Sequence, residues 1–169
     1  MKNTVLRYGI YGGVAICGLF LLSWFIGGEL DYTTQEVIGY ASMIVSLSFV
    51  YFGVRHFRDK ENSGTINFKK ALLVGVLISL ITALAFGILD VIYVKFINPD
   101  FMTEYYDTLI AELRETLPPA EFEIERQKME SQREMFSNTF MSFLVMFLTV
   151  FVIGFIISLI SALLLQRKN

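Results

Sequence analysis

The sequence predicts an all-α, polytopic membrane protein with four transmembrane helices, and three observations lead to this fold class. Hydrophobic residues make up 54% of the 169 residues and charged residues only 18%, whereas about a quarter of a soluble domain is charged. Only one of the 14 basic and 16 acidic side chains, Asp90, falls within the four most apolar stretches, which are residues 8–28, 37–54, 71–94 and 139–165. Period-two alternation of the kind that membrane β-barrels show is absent from these stretches.

Each apolar stretch is close to the length of about 20 residues that a helix needs to cross the hydrocarbon core. The second stretch is the shortest, and we expect it to stand upright or to extend by a turn. The first stretch is too long for a signal peptide and lacks the small-residue cleavage pattern. We therefore predict a single integral membrane domain over residues 1–169.

The distribution of Lys and Arg predicts the orientation of the spans, because basic residues accumulate on the cytoplasmic side. The N-terminal tail, residues 55–70 and the C-terminal tail hold nine of the 14 basic residues. Residues 29–36 hold three acids and no base, and residues 95–137 hold ten acids and five bases. Both termini are therefore predicted to be cytoplasmic.

Small residues recur at every fourth position in three of the spans. Lipid offers no hydrophobic drive between helices, so close packing of small side chains takes its place. We predict ten helix-packing residues: Gly9, Gly13, Ala71, Gly75, Ser79, Ala83, Gly87, Gly154, Ser158 and Ala162. Because a four-residue step drifts about 40° around an ideal helix, we expect the row on span three to cross its partner with right-handed geometry or to serve two neighbours. A pore lined by residues such as Ser79 is the alternative, which the shortage of polar groups along the spans disfavours.

Span four also carries phenylalanines at helical spacing. They are Phe136, Phe140, Phe143, Phe147, Phe151 and Phe155. The spacing places them on one face, turned to lipid or into the bundle. We expect the face to meet lipid, and a groove for a hydrophobic ligand is a further alternative.

The segment between spans three and four, residues 97–137, is predicted to be an outer amphipathic helical hairpin. Pro118 and Pro119 interrupt the helical pattern, so two helices are expected. The first has an apolar face. The second is polar except for a narrow seam of Phe122, Met129 and Phe136, and we expect it to run straight into span four. Such a seam fits helix–helix contact with its neighbour or with another chain.

Asp90 is the one candidate functional residue, because an ionisable side chain inside a span is a functional candidate by default. It lies about one turn from the predicted end of span three, so we expect it to reach water or Lys95 rather than to form an ion or proton site. His56 is expected to be a loop residue. The sequence shows no pattern of catalytic, metal-ligating or cofactor-binding residues, and an enzyme is not expected.

Spans two and three and the connection between them, residues 55–70, contain Gly39-Tyr40, Met43, Ser46-Leu47, Phe52-Gly53-Val54-Arg55, Phe57-Arg58-Asp59, Gly64, Ile66, Phe68, Lys70-Ala71 and Gly75, and Asn98-Pro99-Asp100-Phe101 follows further along. These residues resemble the pattern of domain-of-unknown-function family 4199. The resemblance implies a small four-span protein of the bacterial inner membrane. It implies no activity and supplies no catalytic residue.

These observations favour a non-catalytic membrane protein that acts by helix association. Its partners would be the lipid bilayer and either a second copy or another membrane protein, for which it would serve as an accessory or scaffold subunit. A small-solute or ion permease subunit is the alternative. No cofactor is expected, and the net charge of −2 gives no basis for a nucleic-acid partner.

Overall fold

The computed structural model describes residues 1–26 and 30–167, except for the side chains of Ile26 and Tyr32. Within these residues it contains six α-helices and no β-strand, which confirms the predicted all-α class. The helices are α1 (Lys2–Ile26), α2 (Tyr32–His56), α3 (Phe68–Ile92), α4 (Phe101–Thr116), α5 (Pro119–Ser137) and α6 (Thr139–Leu165). Short π-helical turns, Phe57–Glu61 and Tyr93–Ile97, follow α2 and α3.

Four helices of the described chain are long and apolar enough to cross a membrane, as predicted. They cover Lys2–Phe25, Thr33–Glu61, Phe68–Ile97 and Thr139–Leu165. The last has the predicted bounds, whereas the first three begin three to six residues earlier than predicted. An apolar stretch of sequence marks only the part of a helix that lies in the hydrocarbon core. The helix itself continues into the interface, where Lys and Arg extend their charged ends to water. The predicted end of the first span, Gly28, lies outside the described residues.

Local capping explains where three helices begin. The Asp31 carboxylate accepts hydrogen bonds from the Thr34 backbone N–H (2.8 Å) and the Thr34 hydroxyl (2.7 Å) at the start of α2. Pro119 takes the first position of α5, where a missing N–H costs nothing. Asn138 accepts from the backbone N–H groups of Phe140 and Met141. This cap gives α6 its own start, so the expectation that the second outer helix runs straight into span four is wrong.

The chain divides into two compact units, residues 1–86 with 146–169 and residues 87–145. The first unit contains α1, α2 and the larger parts of α3 and α6. Its core is a cluster of buried aliphatic side chains that includes Ile16, Leu47, Val74, Ile78 and Val150.

One end of the first unit brings three chain segments together. The Thr4 hydroxyl donates to the Glu61 carboxylate, and Ile66 and Arg167 exchange two backbone hydrogen bonds of 3.1 and 2.9 Å. Between them, Gly64 makes a turn with φ of 78°, a backbone conformation that glycine adopts without strain. The start of α1, the α2–α3 connection and the segment after α6 therefore lie together, as an even number of spans requires.

The second unit contains α4, α5 and the adjoining ends of α3 and α6. Arg133 on α5 donates to Asp107 on α4 at 2.9 Å, and the rings of Tyr93 and Phe101 meet edge to face at 5.5 Å. Tyr106 on α4 is buried, and this burial raises the pKa of its phenol. Helices α4 and α5 are thus in contact with each other, one on each side of the Pro118 break.

Candidate functional site

The structure places all ten predicted helix-packing residues in the interior. The row on α3 is buried along its length, at Ala71, Gly75, Ser79, Ala83 and Gly87. On α1 and α6, the predicted residues Gly9, Gly13, Gly154 and Ser158 lie against other helices. Ala162 on α6 is fully buried. Helix α3 is also the most buried of the four spans. Of its most apolar stretch of 18 residues, 44% is buried, compared with 17% for α6. Side chains on α3 therefore decide how closely its neighbours approach.

Within the first unit, α3 and α6 meet through two reciprocal glycine–serine contacts. A Cβ atom built on Gly75 would lie 2.9 Å from Cβ of Ser158, and one built on Gly154 would lie 2.6 Å from Cβ of Ser79. Neither glycine has room for a methyl group without movement of the facing serine. The two serine hydroxyl oxygens lie 3.2 Å apart.

Helix α1 approaches α3 through its own glycines. Cβ atoms built on Gly9 and Gly13 would lie 2.8 Å from Ile81 and 3.0 Å from Ala85. The same interface uses Gly12, where a Cβ would lie 2.5 Å from the Thr82 hydroxyl oxygen. Gly12 was missed because it stands outside the four-residue row.

Glycine also opens α2 to α3 at a position that the sequence reasoning missed. A Cβ atom on Gly53 would collide with the side chain of Ile78 and would lie 3.0 Å from Cβ of Tyr8 on α1. Nothing in the spacing of α2 marks Gly53, because the residues four positions before and after it, Phe49 and Phe57, are large. The signal is the residue type alone, a glycine within an apolar helix.

Three buried hydroxyls in the first unit bond to carbonyls of their own helices. Ser79 donates to Gly75 O at 3.0 Å, Ser158 to Gly154 O at 2.7 Å and Thr82 to Ile78 O at 3.2 Å. These bonds satisfy the hydroxyls inside the bundle without water. A narrow cleft of about 20 Å³ lies between α1, α2 and α3, lined by Ile16, Phe20, Ser23, Gly39, Ser42, Met43 and Phe86. It has room for about one water molecule.

Within the second unit, Asp90 lies in the interior rather than at the surface. Its side chain is 6% exposed, and the Ser142 hydroxyl on α6 donates to its Oδ2 at 2.6 Å. Lys95 is exposed and makes no ion pair with it among the described residues. The expectation that Asp90 reaches water or Lys95 is therefore wrong, because α3 continues as a π-helical turn to Ile97 and sets Asp90 farther from the helix end.

One turn before Asp90, α3 and α6 touch again. A Cβ atom on Gly87 would lie 2.8 Å from the Phe143 ring. Phe143 therefore packs into the second unit and does not face lipid alone. The other phenylalanines differ among themselves: Phe140 is 67% exposed, whereas Phe147 and Phe151 are half-buried and stack against each other next to the core. The predicted lipid-facing stripe is thus wrong for Phe147, which packs against the core, and for Phe140 it stays a prediction.

The basic end of the first unit contains a buried arginine. Arg58 bonds the Asp59 carboxylate through Nε at 2.7 Å and through Nη2 at 3.2 Å, and it donates to Leu165 O at 3.3 Å. A cation at this place also offsets the negative end of the α6 dipole. The guanidinium therefore joins the α2–α3 connection to the end of α6.

His56 is not a loop residue, as the sequence reasoning expected, but the last residue of α2. Its Nε2 lies 2.7 Å from Nη2 of Arg7, and its ring lies 5.6 Å from the ring of Tyr8. Among the described residues, no group of three His, Cys, Asp or Glu side chains is placed to hold a metal ion.

These features define a class, an all-helical protein with four helices suited to a membrane and with polar pairs buried between them. The chain belongs to the family described as protein of unknown function, DUF4199, which matches residues 7–167. The predicted resemblance to this family is thereby confirmed, and the match covers nearly the whole chain. Neither the curated proteins nor the solved structures give a match.

Proposed function

We propose that this protein is a non-catalytic integral membrane protein of the bacterial inner membrane that acts by associating with another membrane protein, as an accessory or scaffold subunit for an enzyme or transporter. Its termini lie in the cytoplasm, in keeping with the nine basic residues of the two tails and of residues 55–70. Helices α4 and α5 form a helical hairpin on the opposite side of the membrane.

The observation that carries the proposal is the exposure of the side chains of α5. This helix of 19 residues is described in full, and none of its side chains is fully buried within the chain. Ile124 is 68% exposed and Met135 is 39% exposed. Eleven residues apart, they lie three turns from each other on nearly the same face, among charged neighbours. A polar helix with separated apolar side chains suits contact with a partner protein.

The small-residue row supports this division of roles. Gly75, Ser79 and Gly154 are occupied by contacts within the chain, so they build the bundle and are not free for a partner. The buried hydroxyls of Ser79, Thr82 and Ser158 bond helix carbonyls, which favours packing over the lining of a pore. A partner is therefore expected at the outer helices.

A permease subunit is the second candidate, and the burial of Asp90 favours it. Intramembrane carboxylates mark ion and proton pathways in transporters. A permease that uses Asp90 loses transport in Asp90→Asn while the protein still assembles, whereas an accessory protein keeps its partner and its function.

Site-specific photo-cross-linking in native membranes tests the association. The photoreactive residue replaces Ile124 on α5, and a matched control replaces Val152, which is 54% exposed on the spanning helix α6. We expect Ile124 to give one discrete protein adduct and Val152 to give lipid adducts only. Adducts between two copies would show self-association in place of a second subunit. Absence of any protein adduct from Ile124 would refute the association role.

A further inference from the structure

Among the described residues of the spans, Asp90 is the one buried acid, and it pairs with Ser142. Asp90 lies seven residues before Ile97, the last residue of the spanning segment of α3, which is about 10 Å along the helix axis. The Ser142 hydroxyl oxygen is fully buried and lies 2.6 Å from Asp90 Oδ2. Both residues belong to the second unit.

Nothing in the described part of the second unit supplies a cation to this acid. No ion pair there includes Asp90, and α6, which provides Ser142, has no charged residue from Thr139 to Leu165. Lys95 is exposed, and so are the charged side chains of α4.

The half-buried charged side chains of the second unit form ion pairs with other residues. On α5, the half-buried Glu125, Arg126 and Arg133 pair with other side chains of α4 and α5. Tyr93 and Tyr106 are the other buried titratable residues of this unit in the described chain. Their phenols are neutral near pH 7. An ionised Asp90 would therefore stand without a counter-charge.

A metal ion does not fit this pair. Ca²⁺ and Mg²⁺ take six or more oxygen ligands, and Asp90 and Ser142 bring at most three oxygens. A proton needs one carboxylate oxygen. An isolated carboxylate in an apolar interior is so costly that it takes up a proton instead.

We propose that Asp90 is a proton-binding site of the spanning bundle. The carboxylate takes one proton from water and becomes a neutral carboxylic acid, with a new O–H bond on one oxygen and the Ser142 hydroxyl bonded to Oδ2. Release breaks that O–H bond and returns the proton to water. This inference does not depend on the association role.

Proton occupancy is coupled to the contact between α3 and α6 in the second unit. The Gly87–Phe143 contact lies one turn before Asp90 on α3 and one residue after Ser142 on α6. Loss of the proton leaves a bare charge beside this tight contact, and a charge in an apolar site draws in water or separates the helices. The protonated form is the one that packs closely.

Infrared spectroscopy of the full chain in lipid nanodiscs tests the site, because the carbonyl stretch of a protonated carboxyl is separate from the bands of carboxylates and amides. At neutral pH we expect one such band per chain in the wild-type protein. It disappears in Asp90→Asn and shifts in Ser142→Ala, which removes the hydrogen bond. It stays unchanged in Asp107→Asn, a control at an exposed acid that pairs with Arg133.

The absence of the band in the wild-type protein at neutral pH would overturn the proposal, and so would a band that survives Asp90→Asn. The wild-type measurement stands by itself if that variant does not fold. Raising the pH until the band is lost should lower the thermal melting temperature of the wild-type protein and leave that of Asp90→Asn unchanged. A melting temperature that ignores the loss of the band would refute the coupling to helix packing.

Discussion

Ser79 on α3 and Ser158 on α6 face each other with their hydroxyl oxygens 3.2 Å apart, and each hydroxyl also lies within hydrogen-bond distance of the carbonyl of the glycine four residues before it. A serine hydroxyl has one proton to donate. If both protons go to the glycine carbonyls, none is left for the opposite serine. The contact between the two helices therefore depends mainly on close packing, which Gly75 and Gly154 permit.

Gly75→Ala should destabilise the bundle. The added methyl group meets Ser158 at 2.9 Å, and overpacking of this kind costs about 1–3 kcal/mol. The helix preference of alanine offsets at most about 1 kcal/mol of that cost. Thermal melting in detergent measures the difference from the wild-type protein.

Gly18→Ala is the matched control for that substitution. Gly18 also lies within a spanning helix, but nothing lies within 4 Å of a Cβ atom built on it. Only the gain in helix preference remains, so the variant should melt at the same temperature as the wild-type protein or higher. Equal losses in the two variants would mean that the α3–α6 contact does not limit stability.

Ser79→Ala should cost little, in contrast to the glycine variant. It removes one interhelical hydroxyl pair, and such bonds in membranes are worth about 0.6 kcal/mol on average. The alanine still fits between the helices. A loss larger than that of Gly75→Ala, measured in the same melting assay, would show that hydrogen bonding rather than packing holds α3 to α6.

Arg58→Lys should destabilise the basic end of the first unit, although the charge is kept. Lysine cannot bond both Asp59 oxygens and Leu165 O together, and lost hydrogen bonds of a charged group cost about 1.5–3 kcal/mol. Arg55→Lys is the control, because Arg55 is 57% exposed and lies 3.7 Å from the same carboxylate. It should cost less than about 0.5 kcal/mol. Similar melting temperatures for the two variants would contradict the role given to Arg58.

The row on α3 could be predicted because its physical cause is local. A four-residue repeat of small side chains follows from helix geometry, and the structure buries all of it. The contacts of Gly12 with Thr82 and of Gly53 with Ile78 could not be predicted in this way. They depend on which helices become neighbours, and no periodicity within one helix contains that information.

The environment of Asp90 shows the same limit. Its helical position was predicted, but its partner Ser142 lies 52 residues away on another helix. Asp90 also lies farther from the end of its helix than predicted, because α3 does not end near Val94 but continues as a π-helical turn to Ile97. Hydropathy counts residues along one chain segment, whereas burial is decided by the segments that pack against it.

The cap at Asp31 predicts a pH dependence. Two hydrogen bonds from Thr34 lower the pKa of the Asp31 carboxyl. A lowered pKa in the folded state means that the stabilisation is present above the ordinary value, near pH 4, and is lost as the pH falls through the folded value. Asp31→Ala should therefore lower the melting temperature at pH 7, and the difference from the wild-type protein should narrow in acid. Asp100→Ala is the control, since Asp100 precedes α4 without a side-chain cap bond.

Reporter fusions test the orientation of the spans. Fusions after Asp31, Gly64, Pro118 and Asn169 should report outside, inside, outside and inside, respectively. The expectation follows from the excess of Lys and Arg in the tails and in residues 55–70. A cytoplasmic signal after Pro118 would exclude the four-span topology.

Phe147 and Phe140 should respond differently to the same substitution, although both belong to one helical stripe of α6. Phe147 packs against the core of the first unit and stacks on Phe151, with ring centroids 5.8 Å apart, and such aromatic pairs contribute about 0.5–1.5 kcal/mol beyond buried area. Phe140 is 67% exposed, and lipid accommodates leucine in its place as well as phenylalanine. Phe147→Leu should therefore destabilise the protein by about 1 kcal/mol, and Phe140→Leu should leave its melting temperature nearly unchanged. A larger loss for Phe140→Leu would mean that the exposed face of α6 is covered by protein in the membrane and not by lipid.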